Sequence, residues 1–274
     1  MNRKLVIETV PCLKDNLSYL IVDIEQGEAI AIDPGEAAPF FRHIKQLEAH
    51  FLKPLELKAV LTTHHHHDHT DGLADLPEIP TWTSTRDQSR LPAAGGGLKR
   101  PQALLPTRSY SWKDLTGDGT TDTCFSVMEI PGHTEGQIAI RLQTVDDSHV
   151  FVGDTLFSLG CGRCLEGTPE ELFASLQKIK RLPVETRLHF GHEYTLRNFE
   201  FWSEMHRRHS AATKDIVDLG ALCEPKRELE REISRDGFLH RKAPTLRDEL
   251  LSNPFLKIKN ATEFRRWRLE RNQF

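Results

Sequence analysis

Five of the chain's 14 histidines stand with one aspartate in Thr63-His64-His65-His66-His67-Asp68-His69. This segment constrains the fold more than any other. Imidazole and carboxylate are the usual ligands of zinc and similar ions. Alternate residues of an extended turn point the same way, so His64 and His66 can converge on one ion while His65 and His67 point away. Asp68 and His69 follow and can serve a second ion, and a two-metal site generates hydroxide near neutral pH. A histidine run can also be a purification tag or a metal-scavenging tract. This run is internal and directly follows Lys58-Ala59-Val60-Leu61-Thr62, a short apolar stretch long enough for a strand. A ligand-bearing turn at a strand end is the better reading, with hydrolysis as its chemistry.

A dinuclear site needs more ligands than one turn supplies. Three other places share the same local setting. The run Phe125–Ile130 leads into Pro131-Gly132-His133, Val150–Val152 into Gly153-Asp154, and Arg187–Phe190 into Gly191-His192. Sites in α/β proteins form at the carboxyl ends of strands. Singly, each residue reads as a surface histidine or a turn aspartate; together they make a coherent constellation.

Composition narrows the class. The apolar fraction of 38% and charged fraction of 28% are ordinary for a globular chain able to bury a core. A formal net charge of -4 argues against a general nucleic-acid binder. The acidic excess lies in residues 1–192, whereas 193–274 are net basic and could favour a small anionic ligand. No stretch is apolar enough to span a membrane, and the start lacks the apolar core of a secretory leader. Five cysteines do not make a disulfide framework in a chain this long. Cytoplasmic residence is expected.

Short apolar runs at Leu17–Asp23, Glu28–Ile32, Ala59–Thr62 and the three named above, with Ile138–Leu142, read as strands. Phe40, Phe41, Ile44 and Leu47 predict a helix near 37–50. Thr168-Pro169-Glu170-Glu171 is a capping box opening a helix that buries Leu172, Phe173, Leu176 and Ile179. Beyond 193 the pattern turns helical, with Leu196, Phe199, Trp202 and His206 on one face and a charged helix or linker over Glu224–Asp236. Gly-rich stretches near 93–97 and 117–119 mark loop within a poorly patterned region, 84–122.

The ligand pattern His64-x-His66-x-Asp68-His69, then His133, Asp154 and His192, resembles the metallo-β-lactamase superfamily. Further segments resemble its glyoxalase II branch, the hydroxyacylglutathione hydrolases. They are Asp15–Leu20, Ile32-Asp33-Pro34-Gly35, Gly153–Phe157, Gly160-Cys161-Gly162-Arg163, Glu166-Gly167-Thr168, Gly191–Thr195 and Asn253-Pro254-Phe255. The resemblance implies an α/β fold, an αβ/βα sandwich over 1–192, followed by a smaller helical domain over 193–274 that grips glutathione. It implies two divalent ions, zinc first and iron or manganese as alternatives. His64, His66 and His133 would hold one, Asp68, His69 and His192 the other, with Asp154 bridging. A bridging hydroxide would cleave the thioester of S-2-hydroxyacylglutathione, such as S-D-lactoylglutathione; Asp68 and Asp154 would be catalytic. Arg163, Tyr194, Arg268 and Arg271 match positions that contact glutathione. The alternatives are an iron-dependent glutathione persulfide dioxygenase or another thioesterase or lactonase of the superfamily. No nucleic acid, membrane or second chain is expected as partner.

The sequence departs from the family pattern at three places. Leu165 stands where a second tyrosine is usual, Gln137 where many relatives have histidine, and residues 210–243 form an insertion. Cys161-Gly162-Arg163-Cys164 has redox-switch spacing, though it lacks a thioredoxin-like context.

Overall fold

A computed structural model describes residues 5–92, 94–96, 100–117, 124–236 and 243–274. The chain divides into two compact units: residues 1–129 with 138–151, and residues 130–137 with 152–274.

The first unit is built on strands. β1 (Leu5–Cys12), β2 (Asn16–Asp23) and β3 (Glu28–Ile32) form an antiparallel meander. Helix α1 (Ala37–Phe51) then crosses to β4 (Glu56–Leu61), which pairs parallel with β3. A one-turn helix α2 (His67–Thr70), β5 (Thr81–Ser84) and β6 (Gln102–Leu104) follow, and the sheet order is β1-β2-β3-β4-β5-β6. After α3 (Trp112–Thr116) come β7 (Cys124–Glu129), β8 (Ile138–Gln143) and β9 (Ser148–Gly153), joined antiparallel.

Burial follows the apolar pattern. Every residue of β2 is buried, as its continuous apolar run requires when both faces are covered. Leu20 and Val22 join Phe40, Ile44 and Leu47 of α1 in one core. Tyr19, on the opposite face, meets Phe151 of β9 edge-on at 5.2 Å, so the two sheets of this unit face each other. The predicted strands and α1 therefore stand, with ends shifted by a few residues. The region 84–122 holds more structure than its sequence suggests: α3 starts on a Ser111–Asp114 capping box and buries Trp112, whose indole N–H donates to Glu28 Oε2 (2.7 Å). The glycine-rich segments of this region lie partly outside the described residues.

The second unit takes over at the end of β9. It contains β10 (Leu156–Phe157), β11 (Gly160–Cys161), α4 (Pro169–Ile179) and β12 (Arg187–Phe190). The Gly191 N–H donates to the Gly153 carbonyl, so β12 runs beside the end of β9. The remainder is helical: α5 (Thr195–Arg208), α6 (Ser210–Thr213), α7 (Leu219–Asp236), α8 (Leu246–Ser252), α9 (Pro254–Lys257) and α10 (Ala261–Gln273). α4 begins on the predicted Thr168–Glu171 box and buries Leu172, Leu176 and Ile179. Phe173 is only half-buried and packs on Phe264 of α10 at 5.5 Å.

One expected face holds only at Trp202. On α5 the buried residues are Asn198, Phe201, Trp202 and Met205, while Leu196 is exposed and Phe199 and His206 are half-buried. Polar anchoring sets the rotation. Asn198 Nδ2 donates to the Ser158 carbonyl (2.9 Å) and Trp202 Nε1 to the Leu159 carbonyl (3.0 Å), which turns that side inward. Most of the 210–243 insertion is helix, and α7 buries Leu222 and Leu229 despite its charge; residues 237–242 lie outside the described ones.

Asp33 organises the carboxyl ends of the first unit's strands. It is 3% exposed and has φ 51°, a left-handed conformation that aspartate tolerates. Its N–H donates to the Leu61 carbonyl (3.1 Å), and its own carbonyl accepts from Ser18 Oγ (2.6 Å). Its carboxylate accepts from Thr63 N–H (2.7 Å) and Thr63 Oγ1 (2.6 Å). Asp33→Ala would leave two buried donors without an acceptor. The expected loss is about 2–5 kcal/mol of unfolding free energy, measured by urea denaturation. A loss below about 1 kcal/mol would show that the carboxylate does not hold this turn.

Candidate metal centre

In the first unit, β4 ends at Leu61, and Thr62, Thr63 and His64 are buried immediately beyond it. Thr63 donates its one hydroxyl proton to Asp33, so the contact between Thr63 Oγ1 and His64 Nδ1 (3.1 Å) makes the imidazole N–H the donor. His64 Nε2 then carries the lone pair, 3.1 Å from His66 Nδ1. The extended path stops at His66 (ψ 145°), because α2 begins at the next residue. The first helical turn therefore presents Asp68 and His69. His69 Nδ1 lies 3.3 Å from Asp33 Oδ2, and its Nε2 lies 3.6 Å from Asp68 Oδ2. Asn16 Nδ2 donates to both the Asp68 carboxylate (2.9 Å) and the Asp68 carbonyl (3.1 Å). Gly35 is required nearby, since a Cβ there would lie 2.1 Å from the Asp68 carbonyl oxygen. His65 and His67 turn elsewhere, His65 to Asp87 (3.1 Å) and the exposed His67 to Asp71 (2.9 Å).

In the second unit, a single carboxylate oxygen gathers two histidines. Asp154 Oδ2 is 3.4 Å from His133 Nε2 and 3.3 Å from His192 Nε2, and all three residues are buried. The His133 ring is fixed from behind by its Nδ1 donating to the Arg163 carbonyl (2.7 Å). Its own carbonyl accepts from the N–H groups of Leu165 and Glu166. Gly132, at φ 140°, lies so close to α4 that a Cβ there would stand 2.5 Å from Leu172 Cα, and Ser175 Oγ donates to the Pro131 carbonyl. Gln137 is buried, and its Nε2 donates to the Val152 carbonyl (3.2 Å), two residues before Asp154. Tyr194 stacks on His192, with ring centroids 4.8 Å apart and planes 5° from parallel.

The donor spacing fits bound cations. Ligands of a tetrahedral ion, each at about 2.0–2.1 Å, stand roughly 3.3 Å from one another. The histidine–carboxylate separations of 3.3, 3.4 and 3.6 Å match this edge. They exceed the roughly 2.7–2.9 Å of a charge-assisted hydrogen bond. In addition, His64, His69 and His133 each have Nδ1 held by an oxygen, which fixes the tautomer that offers Nε2 to a metal.

The basic residues and cysteines of the second unit also have defined positions. Arg163 is exposed on the loop after β11. Arg271 is half-buried, with its Nε on Asn198 Oδ1 (3.2 Å), and its pKa is pushed down to about 10. Burial is the main cause, followed by the positive charges of Arg268, Arg197 and Arg163. Arg197 is an addition to the expected set, at the first turn of α5, where nothing in its own sequence neighbourhood distinguishes it from a solvated charge. Arg268 is buried and donates to the carbonyls of Cys161 (2.6 Å) and Gly162 (3.1 Å). Burial pushes the Cys161 thiol up, and the Cys164 thiol up to about 12. Neither thiol is poised as the thiolate that a redox switch requires.

Residues 14–192 match the metallo-beta-lactamase superfamily. The chain is 32% identical to a hydroxyacylglutathione hydrolase of Bdellovibrio bacteriovorus over the whole of both proteins. It is 35% identical to the one of Xanthomonas campestris pv. campestris, covering 92% of this chain and 85% of that protein. Among solved structures, ETHE1 from Myxococcus xanthus superposes with a TM-score of 0.63 at 20% identity, over 96% of this chain and 90% of that one. That likeness is one of fold. With the His and Asp clusters described above, the superfamily match marks a divalent-metal protein. The chain belongs to the metallo-β-lactamase superfamily and, within it, to the hydroxyacylglutathione hydrolase family.

Proposed function

We propose that the protein is a thioester hydrolase that cleaves S-2-hydroxyacylglutathione, S-D-lactoylglutathione in the first instance, to glutathione and a hydroxy acid. The observation that carries this reading is end-to-end kinship with hydroxyacylglutathione hydrolases in a chain whose seven ligand positions are all filled. The proposed assignment gives His64, His66 and His133 to one ion, Asp68, His69 and His192 to the other, and Asp154 to both. The nitrogen and oxygen donors, with no cysteine among them, favour zinc, and iron or manganese remain compatible.

Two divalent cations, when bound, supply a water acidic enough to ionise near neutral pH and positive charge against the oxyanion of the attacked carbonyl. The protein's own groups orient that chemistry. Asp68, fixed by Asn16, can accept a hydrogen bond from the attacking water, and Asp154 presents one oxygen to two imidazoles. The thiol leaving group, with a pKa near about 8.5, departs as thiolate without a strong general acid. Neutral thiols at Cys161 and Cys164 are consistent with neither taking part.

We assign residues 1–192 to catalysis and 193–274, with the loop carrying Arg163, to holding the glutathione moiety. Crowded guanidiniums around Arg271 are costly unless an anion meets them, and glutathione carries carboxylates. Arg163, Arg271 and Tyr194 are the proposed contacts. Arg268 adds its charge from a buried position. Leu165, 57% exposed, offers an apolar surface where relatives place a hydroxyl, which should weaken the hold on the thiol. No helix among the described residues is long and apolar enough to cross a membrane. We place the enzyme in the cytoplasm as a monomer.

Purified protein should hydrolyse S-D-lactoylglutathione and carry about two metal ions per chain. Two ions without turnover would direct the search to another thioester or ester. A single iron without turnover would favour persulfide dioxygenation. His133→Ala should lose metal and activity together, so full activity at full metal content would remove His133 from the ligand set. Arg271→Ala should raise KM about tenfold, the loss of one charge-assisted contact, with metal content unchanged. An unaltered KM would place the glutathione elsewhere.

A further inference from the structure

His65 stands between two proposed ligands and is not one of them. Alternate side chains of an extended segment leave opposite faces, so His65 points away from the side that His64 and His66 share. Its side chain is 12% exposed, and its Nδ1 lies 3.1 Å from Asp87 Oδ1. A carboxylate only accepts, so the imidazole N–H is the donor in this contact.

Asp87 comes from the neighbouring strand. β5 pairs parallel with β4, Val60 opposite Thr81 and Leu61 opposite Trp82, and Thr62 N–H donates to the Trp82 carbonyl (2.9 Å). The two strands therefore end side by side, and the turns beyond them meet. Asp87 closes the turn after β5: its N–H donates to the Ser84 carbonyl (3.2 Å) and to Ser84 Oγ (3.1 Å), and its carbonyl accepts from Arg90 N–H (2.8 Å). The residue is wholly buried, whereas Arg90, with Nη1 3.9 Å from Oδ1, is half-exposed. Burying a carboxylate is costly unless donors meet it, and an apolar side chain would fill the same space at lower cost. Such a group is a poor filler and a good anchor.

The rest of the segment is held at its two ends. Thr63 Oγ1 backs the His64 ring (3.1 Å), and the His66 carbonyl accepts from Thr70 Oγ1 (2.9 Å) and His69 N–H (3.0 Å). The His65–Asp87 contact fixes what lies between them, the rotation of the extended chain about its own axis. We propose that Asp87 is a positioning residue for His64 and His66, acting through His65. It pins the middle side chain on one face, so the flanking imidazoles stay turned to one ion on the other. The inference rests on the reading of His64 and His66 as ligands of one ion. When the pin is lost, the segment rotates, the two rings diverge, and metal affinity falls.

The test compares wild type, Asp87→Ala, Asp87→Asn, His65→Ala, and Asp87→Ala combined with His65→Ala. Zinc affinity is measured by competition with a chromophoric chelator, kcat and KM with S-D-lactoylglutathione, and stability by the urea midpoint. Asp87→Ala should bind zinc about tenfold more weakly and lose kcat, with KM within about twofold of wild type. Asp87→Asn keeps an oxygen for the His65 N–H and should retain most of the zinc affinity. His65→Ala should weaken zinc binding by the same factor as Asp87→Ala, and the double variant no further than either single one. Losses that multiply in the double variant would overturn the proposal, because Asp87 would then act by a route other than His65. Asp87→Ala with a lowered urea midpoint and wild-type zinc affinity would also overturn it, leaving the carboxylate a support of the fold alone. If Asp87→Ala does not fold, His65→Ala carries the test, and wild-type zinc affinity in that variant overturns the proposal. Wild-type protein that binds no zinc, iron or manganese would overturn the ligand reading itself, before any variant is compared.

Discussion

A buried carboxylate, Asp33, sets the shape of the histidine-rich turn in the first unit. A carboxylate inside a protein must find donors, and this one finds them in Thr63, 30 residues away along the chain. Closing that distance requires β3 and β4 to lie side by side, which the α1 crossover provides. The same contact fixes the next group outward. Thr63, having given its proton to Asp33, must accept from His64, which selects the tautomer with a lone pair on Nε2. Asp33 also lies against the His69 ring, so one carboxylate steers two imidazoles of the ligand segment.

In the second unit, backbone performs the equivalent task. A carbonyl of the loop after β11 orients His133, and that loop is held from the other side by α10 through Arg268. Asn253 adds a second restraint, donating to the carbonyls of Phe157 and Gly160 at either end of the same hairpin (3.0 Å each). The helices over 193–274 therefore do more than carry surface charge. Their polar side chains fasten the β10–β11 hairpin, and Gly162, just after it, abuts both Asp154 and His133. A change in α10 can therefore reach the backbone around Asp154 and His133 without touching either side chain.

Much of the fold was legible in the sequence because the strands carry strong apolar signals, and each proposed ligand follows one directly. His64, His133, Asp154 and His192 all sit just past a strand end, where the runs of apolar residues stop. The supporting contacts were less visible, because they join positions far apart in the chain. Nothing around Asp33 announces Thr63, and nothing around Arg268 announces the Cys161 and Gly162 carbonyls. The misjudged face of α5 has the same origin. Apolar spacing favoured Leu196, Phe199, Trp202 and His206; Trp202 is buried as expected, but Asn198 and Trp202 had carbonyls to satisfy, which turned Leu196 outward. Likewise, α3 was hidden within 84–122 because one buried tryptophan and a capping box leave only a short periodic pattern. Arginine on a charged helix reads as solvated surface until its partners are known, and Arg268 and Arg271 differ in burial though they are three residues apart.

The proposed two-metal centre of imidazole and carboxylate donors can be tested by metal-edge X-ray absorption on zinc-loaded protein. Such a centre should give a shell of nitrogen and oxygen scatterers only, with a metal–metal contribution that grows in as loading rises from one ion per chain to two. A sulfur shell, which would bring Cys161 or Cys164 onto the metal, would contradict it. So would saturation at one ion with no metal–metal contribution.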